Sequence, residues 1–173
     1  LPEERGLYKK MKVLDLLLFF AELKGVTGPK VKKKAMEYLK RFDLETRKDS
    51  KIEELSKGNQ QKVQFIATVL HEPDFVILDE PFSGLHPINT NLLKEIILEM
   101  KEKGKVIIFS THLMDFAEKM CDDIALINNG EIILDGKLSK IKEEFGLGNI
   151  SLNYDGDISF LRTNPMVESM NDF

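Results

Sequence analysis

Apolar residues recur at helical spacing through the first third of the chain. In residues 11–24 they fall three or four positions apart, which predicts an amphipathic helix. These apolar positions are Val13, Leu14, Leu17, Leu18 and Ala21. Gly25 and the pair Gly28-Pro29 interrupt the pattern, and a second apolar face follows over residues 29–42. No segment among the first 55 residues has a strand-like pattern, so this part is predicted to be helical.

A different pattern follows, in which short apolar runs alternate with helical segments. Phe75–Leu78 and Val106–Phe109 are apolar runs between polar neighbours, as in strands buried on both faces. Helices are predicted over 89–103, over 113–120 and after Ser56, where Val63, Ile66, Ala67 and Leu70 form one face. This order of strand, helix and strand predicts an α/β fold with parallel strands.

Two turn signals mark the last part of the chain. Asn129-Gly130 lies between the apolar runs 124–127 and 132–134, which predicts a β hairpin at one edge of the sheet. A second small hairpin is predicted over 149–161, around Asp155-Gly156, in an appended region that begins near residue 147.

Composition narrows the classes of protein to which this chain can belong. Of 173 residues, 42% are hydrophobic and 31% charged, which suffices for a core and excludes disordered and collagen-like classes. The single cysteine, Cys121, excludes a disulfide framework or a cysteine-rich metal site and favours a reducing compartment. The longest apolar run, residues 16–21, is too short to span a bilayer.

The net charge of −4 conceals an uneven distribution. Residues 1–48 carry 13 basic and seven acidic side chains, whereas the remaining residues carry 12 basic and 22 acidic ones. A basic run such as 30–34 could contact nucleic acid or anionic lipid. We favour a solvated helix face and expect no nucleic-acid partner, because no aromatic side chain interleaves with this run.

Two carboxylates, Asp79 and Glu80, stand directly after the first predicted strand. Ligands bind at the carboxyl ends of strands in open α/β sheets. Adjacent acids at such an edge can divide the work, because one can hold Mg²⁺ while the next orients or deprotonates a water. A surface turn often has the same composition, so this pair alone leaves both interpretations open.

Two further features fit a phosphate site. Ser56 and Gly58 lie at the predicted N-terminus of a helix, where backbone N–H groups bind anions, although Ser56 could equally be an ordinary N-cap. His112 follows the second predicted strand and is expected on the same sheet edge as Asp79 and Glu80. An isolated histidine there is more often structural, so the order of all three features, and no single one of them, indicates a phosphate site.

In this order and spacing the chain resembles the ATP-binding-cassette (ABC) ATPase family. Leu55-Ser56-Lys57-Gly58-Asn59 is similar to the LSGGQ signature, and Val76-Ile77-Leu78-Asp79-Glu80-Pro81 resembles the Walker B motif. Ser83-Gly84-Leu85-His86-Pro87 falls where the family has its D-loop, and His112 falls at its switch histidine. Residues 1–8 resemble the segment at and after the Q-loop. The likeness covers residues 1–145 and is closest to ABC-2-type exporter ATPases, which include sodium- and antibiotic-efflux subunits.

The resemblance implies roles for individual residues. Asp79 would support Mg²⁺, Glu80 would polarise the attacking water, and His112 would contact the γ-phosphate of ATP. Glu3, at the Q-loop position, would link the γ-phosphate site to the transmembrane partner and is a possible Mg²⁺ ligand. Other residues would serve ATP held by the opposite subunit of a head-to-tail dimer: Ser56, Lys57, Gly58 and Asn59 of the signature, with Ser83, Gly84 and His86 of the D-loop.

Four positions depart from the family motifs. Lys57 replaces a glycine of the signature, and Asn59 replaces its glutamine. Glu3 stands at the usual Q-loop glutamine, and His86 stands where the D-loop usually has aspartate. An acid that helps to organise the dimer would thus be exchanged for a side chain that titrates near neutral pH.

The resemblance also implies an arrangement of domains. It implies the C-terminal part of a P-loop NTPase (RecA-like) nucleotide-binding domain with its α-helical subdomain. The helical, signature-bearing subdomain would occupy residues 1–56 and the C-terminal half of the ATPase core 57–146. Residues 147–173 would begin a C-terminal extension.

The phosphate-binding loop of such ATPases is missing from the sequence. That loop has the pattern GxxxxGK[ST], and neither Gly-Lys-Ser nor Gly-Lys-Thr occurs. The chain also opens on Leu1-Pro2 instead of Met. We therefore expect a piece that lacks the Walker A half and that alone neither binds ATP tightly nor hydrolyses it.

The predicted function is that of the ATP-hydrolysing subunit of an ABC transporter, an exporter by subgroup resemblance. It would act at the cytoplasmic face of the membrane, bound to a second ATPase subunit and a separate permease. Two alternatives stay open. One is a non-transport ABC ATPase of the ribosome-associated kind, and the other is a degenerate regulatory module in which His86 marks a non-hydrolysing site.

Overall fold

The computed structural model of this chain describes residues 6–85 and 87–145. The chain divides after Cys121 into two compact units. Glu3, His86 and everything from residue 146 onward, including the hairpin predicted at 149–161, lie outside the described residues.

Helices dominate the described part of the first unit, as predicted. They are α1 (Val13–Leu23), α2 (Pro29–Arg41), α3 (Lys57–Val69), α4 (Pro87–Glu102) and α5 (Met114–Met120). Two short 3₁₀ turns, which were not predicted, lie between α2 and α3 at Glu45–Arg47 and Ile52–Glu54. Residues 6–55 contain no strand, in agreement with the sequence pattern. No helix in the described part of the chain combines the length and apolar character needed to cross a membrane.

The first three helices pack around one apolar core because each presents a stripe of apolar residues to the others. Its fully buried side chains include Leu16, Leu17, Leu39, Phe42, Phe65 and Ile66. The rings of Phe42 and Phe65 meet edge to face with their centroids 6.0 Å apart, which is a favoured aromatic geometry. Burial of these side chains fixes α3, and with it the helix start that carries the candidate signature.

Local chemistry sets the ends of α2. The helix begins at Pro29, whose fixed φ suits a first helical position, after Gly28 at a φ of +95°. At its other end the ammonium of Lys62, a buried residue of α3, donates to the carbonyl oxygen of Phe42 at 3.1 Å. Burial lowers the pKa of Lys62, while the nearby Asp43 carboxylate acts in the opposite direction. The bond fastens the end of α2 to α3.

Strands β1 (Phe75–Leu78) and β2 (Val106–Phe109) form a parallel pair, as predicted. The expectation that both strands are buried on both faces is wrong for the described structure. Val76 and Leu78 are buried, whereas Phe75, Ile77, Val106 and Ile108 are each more than half exposed. Successive side chains of a strand point to opposite faces, and only one face of this pair is covered by the described helices.

The exposed face of the β1–β2 sheet leads to a prediction for the isolated 173-residue chain. Four large apolar side chains on neighbouring strands form the kind of patch that drives association. We expect self-association at micromolar concentration, measured as mass by light scattering after size-exclusion chromatography. The double variant Ile77→Thr/Ile108→Thr should lower the mass, whereas Leu23→Thr, which removes an exposed leucine from α1, should not. A monomer for the unmodified chain would contradict this expectation.

The described part of the second unit contains the predicted hairpin. Strands β3 (Asp123–Asn128) and β4 (Glu131–Lys137) pair antiparallel, and Asn129 and Gly130 turn between them at φ values of +50° and +80°. The expectation that this hairpin lies at one edge of the parallel sheet is wrong, because β3 and β4 form a separate two-stranded sheet. An Asn-Gly turn specifies the pairing of its two flanking segments and no pairing with a distant strand. The following helix, α6 (Leu138–Phe145), was not predicted.

Candidate functional site

The carboxyl ends of β1 and β2 bring the candidate catalytic residues together. Leu78 is the register partner of Phe109, so Asp79 and Ser110 are the next residues along the two strands. The backbone N–H of Ser110 donates to the carbonyl oxygen of Leu78 at 2.9 Å. Asp79, Glu80 and His112 therefore lie at one sheet edge, as the order of strands and acids predicted.

A chain of contacts through side chains and one backbone N–H joins these residues. The Ser110 hydroxyl donates to Oδ1 of Asp79 at 2.5 Å and accepts the backbone N–H of Glu80 at 2.9 Å. The Glu80 carboxylate oxygen Oε1 lies 3.0 Å from Nδ1 of His112. The His112 side chain is 70% exposed and that of Glu80 is 37% exposed, so the contact stands at an open edge that a ligand can reach.

Glu80 has an unusual backbone conformation. Its φ is +43°, in the left-handed region that residues with a side chain seldom occupy. Such a conformation costs about 1–3 kcal/mol and tends to occur at active sites. The chain leaves the strand at this residue and turns, with the Ser83 N–H donating to the Glu80 carbonyl oxygen at 3.1 Å. The backbone thereby turns away from the strand direction, and the Glu80 carboxylate stays beside the sheet edge.

The candidate signature residues lie at the N-terminus of α3, as predicted. Ser56 is the N-cap, and its hydroxyl accepts the backbone N–H of Asn59 at 3.3 Å. Lys57, Gly58 and Asn59 form the first turn. Backbone N–H groups at a helix start favour anionic ligands. The ordinary N-cap role of Ser56 is thus present, and it is compatible with phosphate binding.

A glutamine connects this helix start to the turn after β1. Nε2 of Gln61 donates to the carbonyl oxygen of Ser83 at 3.0 Å and of Pro81 at 3.3 Å. A cavity of about 490 Å³ lies between the two segments. Its polar lining includes Lys57, Gly58, Gln61, Asp79, Glu80 and Ser83. The structure thus brings part of the candidate signature, the strand-end acids and part of the candidate D-loop to one cavity, whereas Ser56, Asn59 and His112 are not among its lining residues.

Sequence reasoning missed two residues of this site. Ser110 directly follows the second apolar run, and its place at the end of a strand was a usable signal. Gln61 lies inside a polar stretch of α3, and its bonds to Pro81 and Ser83 depend on a packing that no local pattern reveals. Glu3 and His86 lie outside the described residues.

The donor set at the sheet edge fits Mg²⁺. No cluster of three or more metal-ligating side chains occurs among the described residues. Mg²⁺ does not need one, because proteins commonly bind it through one or two carboxylates together with water and substrate phosphates. The Asp79 carboxylate, oriented by the Ser110 hydroxyl, offers hard oxygen atoms of this kind.

Known sequences similar to this chain include a family of AAA domains and several ABC transporter ATP-binding proteins. Residues 7–116 match a protein-family model described as "AAA domain, putative AbiEii toxin, Type IV TA system". The chain is 47% identical over 163 residues to an uncharacterized ABC transporter ATP-binding protein of Bacillus subtilis, covering 94% of this chain and 55% of the relative. It is 51% identical over 141 residues to another of Methanocaldococcus jannaschii, covering 82% of this chain and 54% of the relative. The chain therefore spans about half the length of these curated relatives.

Solved structures similar to this chain include ATP-binding cassettes. The structure of an ATP-binding subunit of an ABC transporter superposes with a TM-score of 0.79 at 35% identity, covering 87% of this chain and 62% of the other. A dimeric ATP-binding cassette bound to ADP and Pi superposes with a TM-score of 0.70 at 23% identity, covering 79% of this chain and 61% of the other. The second likeness bears on the fold alone.

Proposed function

The chain belongs to the AAA-domain family that this model describes and to the ABC ATPases, which have the α/β fold of P-loop NTPases; on that premise we propose that it forms part of the ATP-hydrolysing subunit of an ABC transporter. One observation carries the proposal. Asp79, Glu80, Ser110 and His112 form a connected set at the carboxyl ends of two parallel strands, which is where α/β enzymes bind their ligands.

Each member of this set has chemistry suited to phosphoryl transfer. Asp79 would hold Mg²⁺, which supplies charge neutralisation at the transferring phosphoryl group when it is bound. Glu80 would accept a hydrogen bond from the attacking water and so orient and polarise it. His112 contacts Glu80 through Nδ1, and its second ring nitrogen would bind an oxygen of the γ-phosphate. Catalysis by positioning and electrostatics is what phosphoryl transfer requires.

The start of α3 would serve a second nucleotide. Ser56, Lys57, Gly58 and Asn59 would close over ATP held by the opposite subunit of a head-to-tail dimer. The proposal is supported by the helix N-terminus at this position and by the cavity that opens between α3 and the turn holding Ser83 and Gly84. An ATP-binding cassette of the same fold has been solved as a dimer. His86 would belong to the same interface.

We propose a role in transport and, more specifically, in export. The relatives are ABC transporter ATP-binding proteins, and the motifs most resemble those of ABC-2-type exporters. The subunit would lie at the cytoplasmic face of the membrane against a separate permease, with Glu3 linking that permease to the γ-phosphate. Residues 1–56 would be the helical subdomain, 57–146 the C-terminal half of the core, and 147–173 the start of an extension.

ATP hydrolysis by the whole protein tests the proposal. We expect Mg²⁺-dependent phosphate release, and we expect His112→Ala to lower kcat by about 10²–10³-fold, since it removes a group that stabilises transition-state charge. Thermal unfolding of the variant should match that of the unmodified protein, because the His112 side chain is largely exposed. Absence of hydrolysis by the unmodified protein, alone and with its permease, would refute the proposal.

A further inference from the structure

Ser110 connects the two acidic residues of the sheet edge through a single oxygen atom. A serine hydroxyl has one proton to donate and two lone pairs that accept. At Ser110 the proton is directed to Oδ1 of Asp79, 2.5 Å away, and a lone pair receives the N–H of Glu80 at 2.9 Å. The short contact with Asp79 is typical of a hydroxyl bound to a charged carboxylate. This residue fixes a side chain and a backbone group at once.

The strand register explains why this oxygen is in place. In a parallel pair, the residue opposite Asp79 donates its N–H to the residue before Asp79 and accepts from the residue after it through its carbonyl. Ser110 makes the first bond to Leu78 in the ordinary way, through its backbone N–H. The second bond, from Glu80, goes to the Ser110 hydroxyl instead of the carbonyl. A side chain therefore takes the place of the backbone acceptor where the chain leaves the sheet.

The bond to the Ser110 hydroxyl is made by the residue that has the unusual backbone conformation. Glu80, whose N–H the hydroxyl accepts, is the residue at a φ of +43°. A conformation of this kind persists only where its surroundings hold it. The Ser110 hydroxyl is one group that stabilises this conformation. It bonds to the backbone of Glu80, whose carboxylate lies 3.0 Å from His112.

We propose that Ser110 is a positioning residue of the ATPase reaction, orienting the Asp79 carboxylate for Mg²⁺ and holding Glu80 where its carboxylate addresses the attacking water. The inference rests on the proposed function. Groups that hydrogen-bond to metal ligands typically tune metal affinity by 10–100-fold. Ser110 is exposed, so its substitution removes little packing.

An isosteric pair of variants isolates the hydroxyl. Ser110→Thr keeps the oxygen, whereas Ser110→Val has nearly the same shape without it. In the whole protein saturated with a non-hydrolysable ATP analogue, we expect Ser110→Val to weaken Mn²⁺ binding about tenfold or more, measured by electron paramagnetic resonance. Ser110→Thr should stay within about threefold of the unmodified protein. Ser50→Ala, in the loop between the two 3₁₀ turns, is the matched serine control.

Two further measurements separate positioning from general damage. In ATP hydrolysis, Ser110→Val should raise the Mg²⁺ concentration needed for half-maximal rate and lower kcat, while affinity for ATP measured in EDTA stays unchanged. Unchanged Mn²⁺ binding in Ser110→Val, or equal loss in the Thr and Val variants, would overturn the role of Ser110 and leave the ATPase assignment intact. Absence of metal-dependent nucleotide binding in the unmodified protein would overturn both.

Discussion

Replacing Glu80 by glutamine is expected to abolish steady-state ATP turnover by the whole protein while leaving ATP binding intact. The substitution preserves the shape of the side chain and its place beside His112, at 3.0 Å in the structure. It removes the negative charge that would polarise the attacking water. Loss of a general base lowers rates by about 10²–10⁴-fold, and we expect a fall of at least about 10²-fold. Phosphate release and binding of a fluorescent ATP analogue are the two measurements.

A matched substitution guards this interpretation. Glu102→Gln makes the same chemical change at an exposed position in the last turn of α4, and its turnover should equal that of the unmodified protein. Turnover by Glu80→Gln at the rate of the unmodified protein would refute the role of Glu80. Loss of both turnover and binding would instead mean that the carboxylate serves nucleotide binding, and this too contradicts the prediction.

Replacing Phe65 by alanine is expected to destabilise the 173-residue chain by about 3–5 kcal/mol, the usual cost of removing a buried aromatic ring. Phe65 is 2% exposed and lies on α3, where its ring packs edge to face on Phe42 of the preceding segment. The variant loses both the transfer free energy of the ring and its contacts across the cavity left behind. The measurement is urea unfolding followed by helical circular dichroism, at a protein concentration at which light scattering shows a monomer.

Phe145→Ala serves as the control, because this phenylalanine, the last residue of α6, is 62% exposed. Its replacement should change the unfolding free energy by less than about 0.5 kcal/mol. Equal effects of the two substitutions would show that α3 is not held by the packing of Phe65. Since a domain is stable by only about 5–15 kcal/mol, the loss at Phe65 should be a large share of the total free energy of unfolding.

Periodic segments were the part of the fold most open to prediction. Helices α1 and α2 were predicted to within two residues, because one apolar stripe and the Gly28-Pro29 break define them locally. The hairpin followed from Asn129-Gly130 for the same reason. Helix α6 was missed although Leu138, Ile141 and Phe145 have helical spacing. The two 3₁₀ turns carry no comparable periodic signal.

The candidate site, too, could be predicted from the sequence only in part. Asp79, Glu80 and His112 could be assigned to one sheet edge from the sequence, because strands of parallel direction end on the same side. The contacts of Ser110 and Gln61 could not be assigned. Each joins residues about 20 to 30 positions apart, and such a pairing depends on strand register and helix packing.

The α/β class of this protein, its resemblance to the ABC ATPases and the order of its motifs could all be inferred from the residues alone. These properties reside in residue types at fixed spacing, and spacing is preserved in the linear chain. The folded chain was needed to show that one serine oxygen bonds to both acidic residues and that Glu80 has a left-handed conformation. It was also needed to show that one face of the β1–β2 sheet is exposed. Strand register and burial are relations between distant segments, so they exist only once those segments have packed.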